Sequence, residues 1–156
     1  MITQMKAFDQ TDVICEQVAN AFEKGETLSI QGSGSKAFLP NGQRVVDAAL
    51  SLKGHTGIVE YDASEWFITA KSGTPIREIE AALEKEGQML GFEPPHFGSE
   101  ATLGGVIASG FSGPRRPFGG SARDAVLGVR MVNGRGEDLR FGGKVMKNVA
   151  GFDVSR

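Results

Sequence analysis

The chain has 156 residues, 40% of them hydrophobic and 23% charged, the make-up of one ordinary folded domain and not of a disordered tail or a fibrous repeat. Its 17 basic and 19 acidic residues nearly cancel to a net charge of -2, which leaves no electrostatic footprint for nucleic acid. A single cysteine, Cys15, excludes an internal disulfide and a cysteine zinc cluster, and no apolar run reaches membrane-spanning length.

Asp9 or Thr11 is the expected cap of a first helix whose buried stripe is Ile14, Val18, Ala21 and Phe22, with Gly25 as its stop. Cys15 in this helix reads as a buried core thiol. Residues 27–30 (TLSI) form a short strand that runs straight into a loop, QGSGSK (31–36). Residues 44–50 (RVVDAAL) are a weak strand. GIVEYD (57–62) and EWFITAK (65–71) are two β-rich runs around a polar break, an antiparallel pair. The clearest helix follows, with Thr74 as cap, Pro75 in the first turn, Ile76, Ile79 and Leu83 as buried stripe and Gly87 as stop. Gly91 to Gly120 is rich in Gly, Pro and Ser, and only 102–109 reads as a short helix. Residues 124–132 (DAVLGVRMV) form a long strand, Asn133-Gly134 signals a hairpin turn and 137–141 (EDLRF) is the partner strand. Antiparallel pairs mixed with helices favour an α+β fold over a doubly wound parallel sheet.

Two stretches carry chemistry. Gly32-Ser33-Gly34-Ser35-Lys36-Ala37 has the spelling G-x-G-x-x-A, but Pro40 and Gly42 would break the helix that a nicotinamide fingerprint needs, and Asp47 comes too early for its acidic partner. The G-x-x-x-x-G-K-[ST] of a P-loop is absent. A Gly/Ser loop after a strand can still cradle phosphate with successive N–H groups, or it is a plain connection. The second stretch, Glu100 to Gly113, carries almost no side-chain bulk. Either a ligand lies along its backbone or it is a tightly packed small-residue helix. The chain's glycine content, 22 residues, poses the same choice, since glycine is costly to order and is kept for tight turns or for close approach to a ligand.

Together the two stretches resemble the PCMH-type FAD-binding domain, the vanillyl-alcohol oxidase type. That family places a Gly/Ser loop after a strand and, later, A-T-[LI]-G-G-x-[IV]-A-x-G-x-S-G; this chain has Ala101-Thr102-Leu103-Gly104-Gly105-Val106-Ile107-Ala108-Ser109-Gly110-Phe111-Ser112-Gly113. Residues 122–156 are similar to the strand and hairpin that follow in the family. Lys147-Asn148-Val149-Ala150-Gly151-Phe152-Asp153 is similar to the K-N-x-x-G-x-D of its lactate and glycolate oxidase branch, and residues 113–124 resemble the FAD-binding subunit type of bacterial glycolate oxidase.

The resemblance implies an FAD-binding domain over 1–156 made of two small α/β subdomains with mixed and antiparallel sheet. The family's further G-S-x-G-T-L-G stretch and its substrate domain are not in the sequence, so the domain reads as C-terminally truncated. It implies FAD contacts at Gln31, Gly32, Ser33, Gly34, Ser35 and Lys36, at Pro95, and at Thr102, Gly104, Gly105, Ser109, Ser112 and Gly113, with Asn148 and Asp153 as weaker candidates. Some members hold flavin covalently through a histidine in the first loop. None lies between Ser29 and Pro40, so non-covalent FAD is implied. His55 reads as a surface residue and His96 as structural. Arg115 and Arg116 are a solvated turn, or a charge complement to the diphosphate or a partner. No catalytic or metal-binding residue is assigned. The implied role is the FAD-binding component of an oxidase or dehydrogenase of small 2-hydroxy acids such as glycolate, with hydride passing to flavin. Its partners would be a catalytic flavin subunit and an iron–sulfur subunit, in the cytoplasm or peripherally at the inner membrane through them. The alternative is a non-catalytic assembly subunit docking to those same partners.

Overall fold

The computed structural model describes residues 8–39 and 45–144. Helix α1 spans Thr11–Lys24. Its N-cap is Gln10, neither of the two residues expected. Asp9 instead accepts hydrogen bonds from Thr11 N–H (2.9 Å) and Thr11 Oγ1 (2.6 Å), closing a turn ahead of the helix. Gly25 stops the helix as expected, in the left-handed region at φ 68°, returning the Gly25 and Glu26 amides to the Phe22 and Ala21 carbonyls. The buried face differs from the expected stripe. Ile14 and Ala21 are buried, but Val18 is half-buried, Phe22 is 59% exposed and Cys15 is half-buried. The reason is a close approach by the C-terminal hairpin. A Cβ on Gly136 would stand 2.5 Å from the Cys15 carbonyl and 2.9 Å from Ala19 Cβ, so the helix turns its 15/19 side to that hairpin.

The sheets are three two-stranded units. β1 (Leu28–Gln31) and β2 (Ala48–Ser51) are parallel, in register Leu28↔Ala48 to Gln31↔Ser51. Asp47 clamps their start, its carboxylate accepting from Thr27 N–H and Thr27 Oγ1. β3 (Ile58–Asp62) and β4 (Phe67–Ala70) form the expected antiparallel pair, closed by a turn in which Asp62 Oδ1 accepts from Ser64 and Glu65. β5 (Gly128–Val132) and β6 (Asp138–Gly142) form the second.

One expectation here is corrected. The strand at 124–132 starts only at Gly128, because Ser121 and Asp124 make a reciprocal capping box that winds Ala122–Ala125 into a helical turn. The hairpin turns at Asn133-Gly134 as expected. Asn133 N–H bonds Glu137 C=O across Gly134-Arg135-Gly136, and Gly136 sits at φ 80°, a three-residue loop.

Helix α2 (Ile76–Glu84) buries Ile76, Ile79, Ala82 and Leu83. Thr74 does not cap it; Pro75 holds the N-cap position. The Thr74 side chain is fully buried and turned away, accepting from Gly57 N–H (2.9 Å) and donating to Gly57 C=O (3.2 Å). It ties the hairpin to the helix start, which an exposed cap would not. Helix α3 (Leu103–Ser109) and two four-residue turns, α4 (Arg116–Gly119) and α5 (Ala122–Ala125), complete the described chain. The main core joins β3, α2 and α3 through Ile58, Tyr61, Ile76, Ile79 and Val106. Ile14, Ala21 and Leu50 are buried outside it, with α1 and β2. The result is an α+β fold whose two glycine-rich stretches meet where these two groupings join.

Candidate functional site

The two stretches are joined by a relay of main-chain hydrogen bonds. From the end of β1, Gln31 C=O accepts from Leu52 N–H, Leu52 C=O from His55 N–H, and His55 C=O from Gly73 N–H. Ser72 C=O then accepts from Gly104 N–H and Thr74 C=O from Leu103 N–H, while Ile76 N–H returns to Ala101 C=O. The relay works only at close range. A Cβ on Gly73 would lie 2.1 Å from the Leu52 carbonyl oxygen, so no side chain fits there. At its end the stretches touch directly: a Cβ on Gly32 would lie 2.5 Å from Thr102 Oγ1. An open cleft of about 250 Å³ runs along this junction, lined among others by Ser33, Lys53, Thr56, Glu78 and Thr102.

In the first loop residues 35–38 form turns and not a helix, with Ala37 N–H on Gly34 C=O and Leu39 N–H on Lys36 C=O. Gly34 is left-handed at φ 78° with open space around its Cα. The amides of Ser33, Gly34, Ser35 and Lys36 have no acceptor among the described residues. Gln31 ends β1, and its side-chain amide donates to Ser29 Oγ at 3.3 Å. Lys36 Nζ is shielded from solvent, has no hydrogen-bond partner among the described residues, and lies 5.8 Å from the centre of the Phe97 ring. Burial without a counter-charge pushes its ammonium below the usual lysine range.

The second stretch is built differently. Thr102 is the N-cap of α3, and its Oγ1 accepts from Gly105 N–H at 3.4 Å. With Leu103 and Gly104 bonded to 74 and 72, and Val106 to Thr102 C=O, the first four amides of the helix are all taken within the protein. A Cβ on Gly104 would stand 2.8 Å from Ser72 Cβ, and one on Gly113 would stand 2.3 Å from Glu93 C=O. Ser109 Oγ donates to Val106 C=O, and Ser112 Oγ accepts from Ala122 N–H. These glycines and serines serve packing, and what they present to the junction is the Thr102 side of the segment.

Pro95 is half-buried in the turn before Phe97. Phe97 is held at φ 48°, and its ring touches Phe38 of the first loop and Phe111 of the second stretch, with centroids 5.0 and 5.8 Å away. His96 Nε2 lies 2.9 Å from Glu80 Oε1 of α2, a structural pairing as expected. His55 is no surface residue: its side chain is only 13% exposed, and Nδ1 accepts from Gln10 N–H at 3.1 Å. Arg115 is partly tied, with its amide on Glu93 Oε2 and its Nε 3.7 Å from Glu93 Oε1, while Arg116 is exposed. Asn148 and Asp153 lie outside the described residues. Sequence reasoning missed Gly73 and the 52–55 shoulder. The signal was the SGTP run ahead of α2, where a small, turn-forming triplet precedes a proline.

Residues 7–142 match the FAD binding domain family. The chain belongs to that family. FAD is therefore its cofactor, and the PCMH-type architecture expected from the two motifs holds. The chain is 55% identical over 152 residues to glycolate oxidase subunit GlcE of Escherichia coli (strain K12), covering 97% of this chain and 43% of that one. It is 31% identical over 150 residues to glycolate oxidase subunit GlcD of Bacillus subtilis (strain 168), covering 94% and 31%. Among solved structures, alkyldihydroxyacetonephosphate synthase superposes with a TM-score of 0.74 at 22% identity, over 95% of this chain and 26% of that one, a likeness of fold. The chain thus spans less than half the length of these relatives. The turns at 35–38 stand where the helix of a nicotinamide fingerprint would start, while Pro40 and Gly42, expected to break that helix, lie outside the described residues.

Two features fit a dinucleotide diphosphate: the amides at 33–36 and the Lys36 ammonium, which have no hydrogen-bond partner among the described residues. No helix among the described residues is long and apolar enough to cross a membrane, and none of their His, Cys, Asp and Glu groups could hold a metal ion.

Proposed function

We propose that the chain is the FAD-binding component of an oxidase or dehydrogenase of small 2-hydroxy acids such as glycolate, with residues 1–156 forming one FAD-binding unit. The observation that carries this is the junction of the open-amide loop at 33–36 with Thr102, across a contact that only glycine at 32 permits. Gly32, Ser33, Gly34, Ser35 and Lys36 would hold the diphosphate, with Gln31 and Thr102 setting the two edges. Gly104 and Gly113 would act by keeping the second stretch tight against 72 and 93, Gly105 by leaving room for the Thr102 hydroxyl, and Ser109 and Ser112 by fixing the far end. Pro95 would set the turn that carries Phe97. Binding is non-covalent, since no histidine occurs between Ser29 and Pro40. Bound FAD supplies a two-electron acceptor for hydride, and the protein supplies position and electrostatics.

The component works with a catalytic flavin subunit and an iron–sulfur subunit, in the cytoplasm or at the membrane through them. A second reading, a non-catalytic assembly subunit, is favoured by one feature: every amide of the α3 start is already bonded within the protein. A flavin spectrum separates the two. Incubation with excess FAD followed by desalting should leave a bound flavin absorbance near one equivalent. A flat visible spectrum from folded protein, together with co-purification of the partner subunits, would select the assembly reading.

A further inference from the structure

Residues 114–119 are exposed throughout, yet the run is fixed in place. At its start Gly113 N–H donates to Phe92 C=O at 3.0 Å, and a Cβ on Gly113 would collide with the Glu93 carbonyl oxygen. At its end a Cβ on Gly119 would collide with the Gly91 carbonyl oxygen. Between these points Glu93 Oε2 accepts from Arg115 N–H, and Arg115 Nη1 donates to Met89 Sδ at 3.3 Å. The Arg115 carbonyl accepts from the Phe118 and Gly119 amides and closes α4. Glu93 makes its contact from φ 49°, a left-handed conformation that is unfavourable for a residue with a side chain. A plain solvated connection gains nothing from being held this firmly.

What the turn holds out is Phe118, 94% exposed, with Arg116 on the same turn and Arg123 on the next. Neither guanidinium has an ion pair among the described residues, whereas Arg77, Arg115 and Arg130 each meet a carboxylate. In a chain of net charge -2, unpaired arginines beside a solvated ring reverse the sign of the surface locally, and the complement to them is acidic. Aromatic and arginine side chains are the ones that protein interfaces concentrate, and those carried on a fixed backbone lose little freedom on burial. A lipid surface fits less well, because one ring and two free guanidinium groups hold a bilayer only weakly and need no rigid turn. We propose that residues 115–118 are the docking point for a partner protein whose surface offers an apolar socket to the Phe118 ring and carboxylates to Arg116 and Arg123. This rests on the reading of the chain as one component of a larger enzyme, and it says where that component is joined. Arg115, held by Glu93, is a positioning residue for the turn.

The test co-expresses the tagged chain with the proposed flavin and iron–sulfur subunits and measures the affinity with which each is retained, beside thermal unfolding of the chain alone. Phe118→Ala should weaken retention of at least one subunit about thirtyfold. Arg116→Glu should weaken the same subunit about tenfold, with an effect that shrinks at high salt. Both variants should melt with the wild type, because both side chains are exposed in the free chain. Trp66→Ala, which removes another exposed aromatic, should leave retention unchanged. Equal retention by wild type and Phe118→Ala overturns the proposal while the assembly reading stands, as does an equal loss in Trp66→Ala. A wild-type chain that retains neither subunit overturns the assembly reading, and the proposal with it. Sedimentation of the chain alone and flotation with phosphatidylserine vesicles address the other occupants. Self-association or vesicle binding that Phe118→Ala abolishes would give the turn to a second copy or to lipid, and overturn the proposal.

Discussion

The chain holds two glycine-rich stretches of similar composition that are used in opposite ways. In the loop at 33–36, backbone amides have no acceptor among the described residues and Gly34 faces open space at a left-handed φ. In the stretch at 101–113, the amides at the helix start are bonded to 72, 74 and 102, and Gly104 and Gly113 face neighbours at less than contact distance. Beyond Gly32, which makes room for Thr102, the first stretch has a glycine, Gly34, that leaves its backbone open. The second has glycine so that the protein can approach itself. Glycine content alone does not separate a ligand cradle from a packing seam; the fate of the N–H groups does.

The comparison breaks most visibly at Gly73, the joint between the two. A Cβ there would stand 2.1 Å from the Leu52 carbonyl and 2.8 Å from the His55 carbonyl, both backbone atoms that cannot swing aside. Gly73→Ala is expected to cost about 3 kcal/mol or more in chemical denaturation, and to abolish flavin uptake at temperatures where the variant is still folded. A variant of wild-type stability would mean that the shoulder at 52–55 gives way easily and that the junction is loose.

Next in size is the direct contact of the two stretches. Gly32→Ala drives a methyl onto Thr102 Oγ1, and Thr102→Ala removes the α3 cap at a cost of about 1 kcal/mol. The double variant relieves the clash, so the two losses should fall short of adding by about 1 kcal/mol in a double-mutant cycle. Additive losses would show that Gly32 and Thr102 do not touch in solution. Smaller again is Gly34→Ala. With nothing within 4 Å, its cost is the left-handed backbone alone, about 1 kcal/mol. FAD affinity should fall by a larger factor than stability does, because the amides on either side change direction. Gly104→Ala, crowding Ser72, should show the reverse ratio.

Much of this was legible from sequence. The order of elements, the antiparallel pair at 57–71, the α2 stripe and both motifs needed only periodicity, turn residues and spelling. What failed was local and had a common cause: side chains chose tertiary partners over the nearest backbone. Thr74 bonds Gly57 seventeen residues away instead of capping its own helix. Phe22 sits on the expected stripe of α1, but Gly136 claims the 15/19 side, so the helix presents a different face. Ser121 and Asp124 form a capping box inside what reads as a β run, since Ala, Val and Leu do not by themselves choose between helix and strand. The site divided along the same line. Lys36 was named from its loop, but that its ammonium is shielded from solvent and lies over the Phe97 ring depends on a residue 61 positions later.

The smallest expected effect concerns the shoulder that joins the two stretches, and it depends on pH. His55 supplies the carbonyl that Gly73 bonds, and its ring anchors α1 by accepting Gln10 N–H at Nδ1. That acceptor exists only in the neutral ring. Burial, then the nearby Lys71 charge, hold the His55 pKa below its ordinary value, with Asp9 opposing them. A depressed folded pKa means that the unfolded chain binds the proton first. The contribution is therefore complete above about pH 6.5 and declines as pH falls through the lower folded pKa. Asp9, held well below the usual carboxylate range by its hydrogen bonds to Lys71 and Thr11, adds a second decline below about pH 4. The histidine step should amount to about 1 kcal/mol or less, because water and salt reach the clasp through the exposed Asp9 side. Urea midpoints for wild type and His55→Gln between pH 5 and 7.5 measure it. The wild-type curve should bend downward toward pH 5 and the variant's should stay flatter. Parallel curves would mean that α1 is held without the ring, and the shoulder would then rest on its backbone bonds alone.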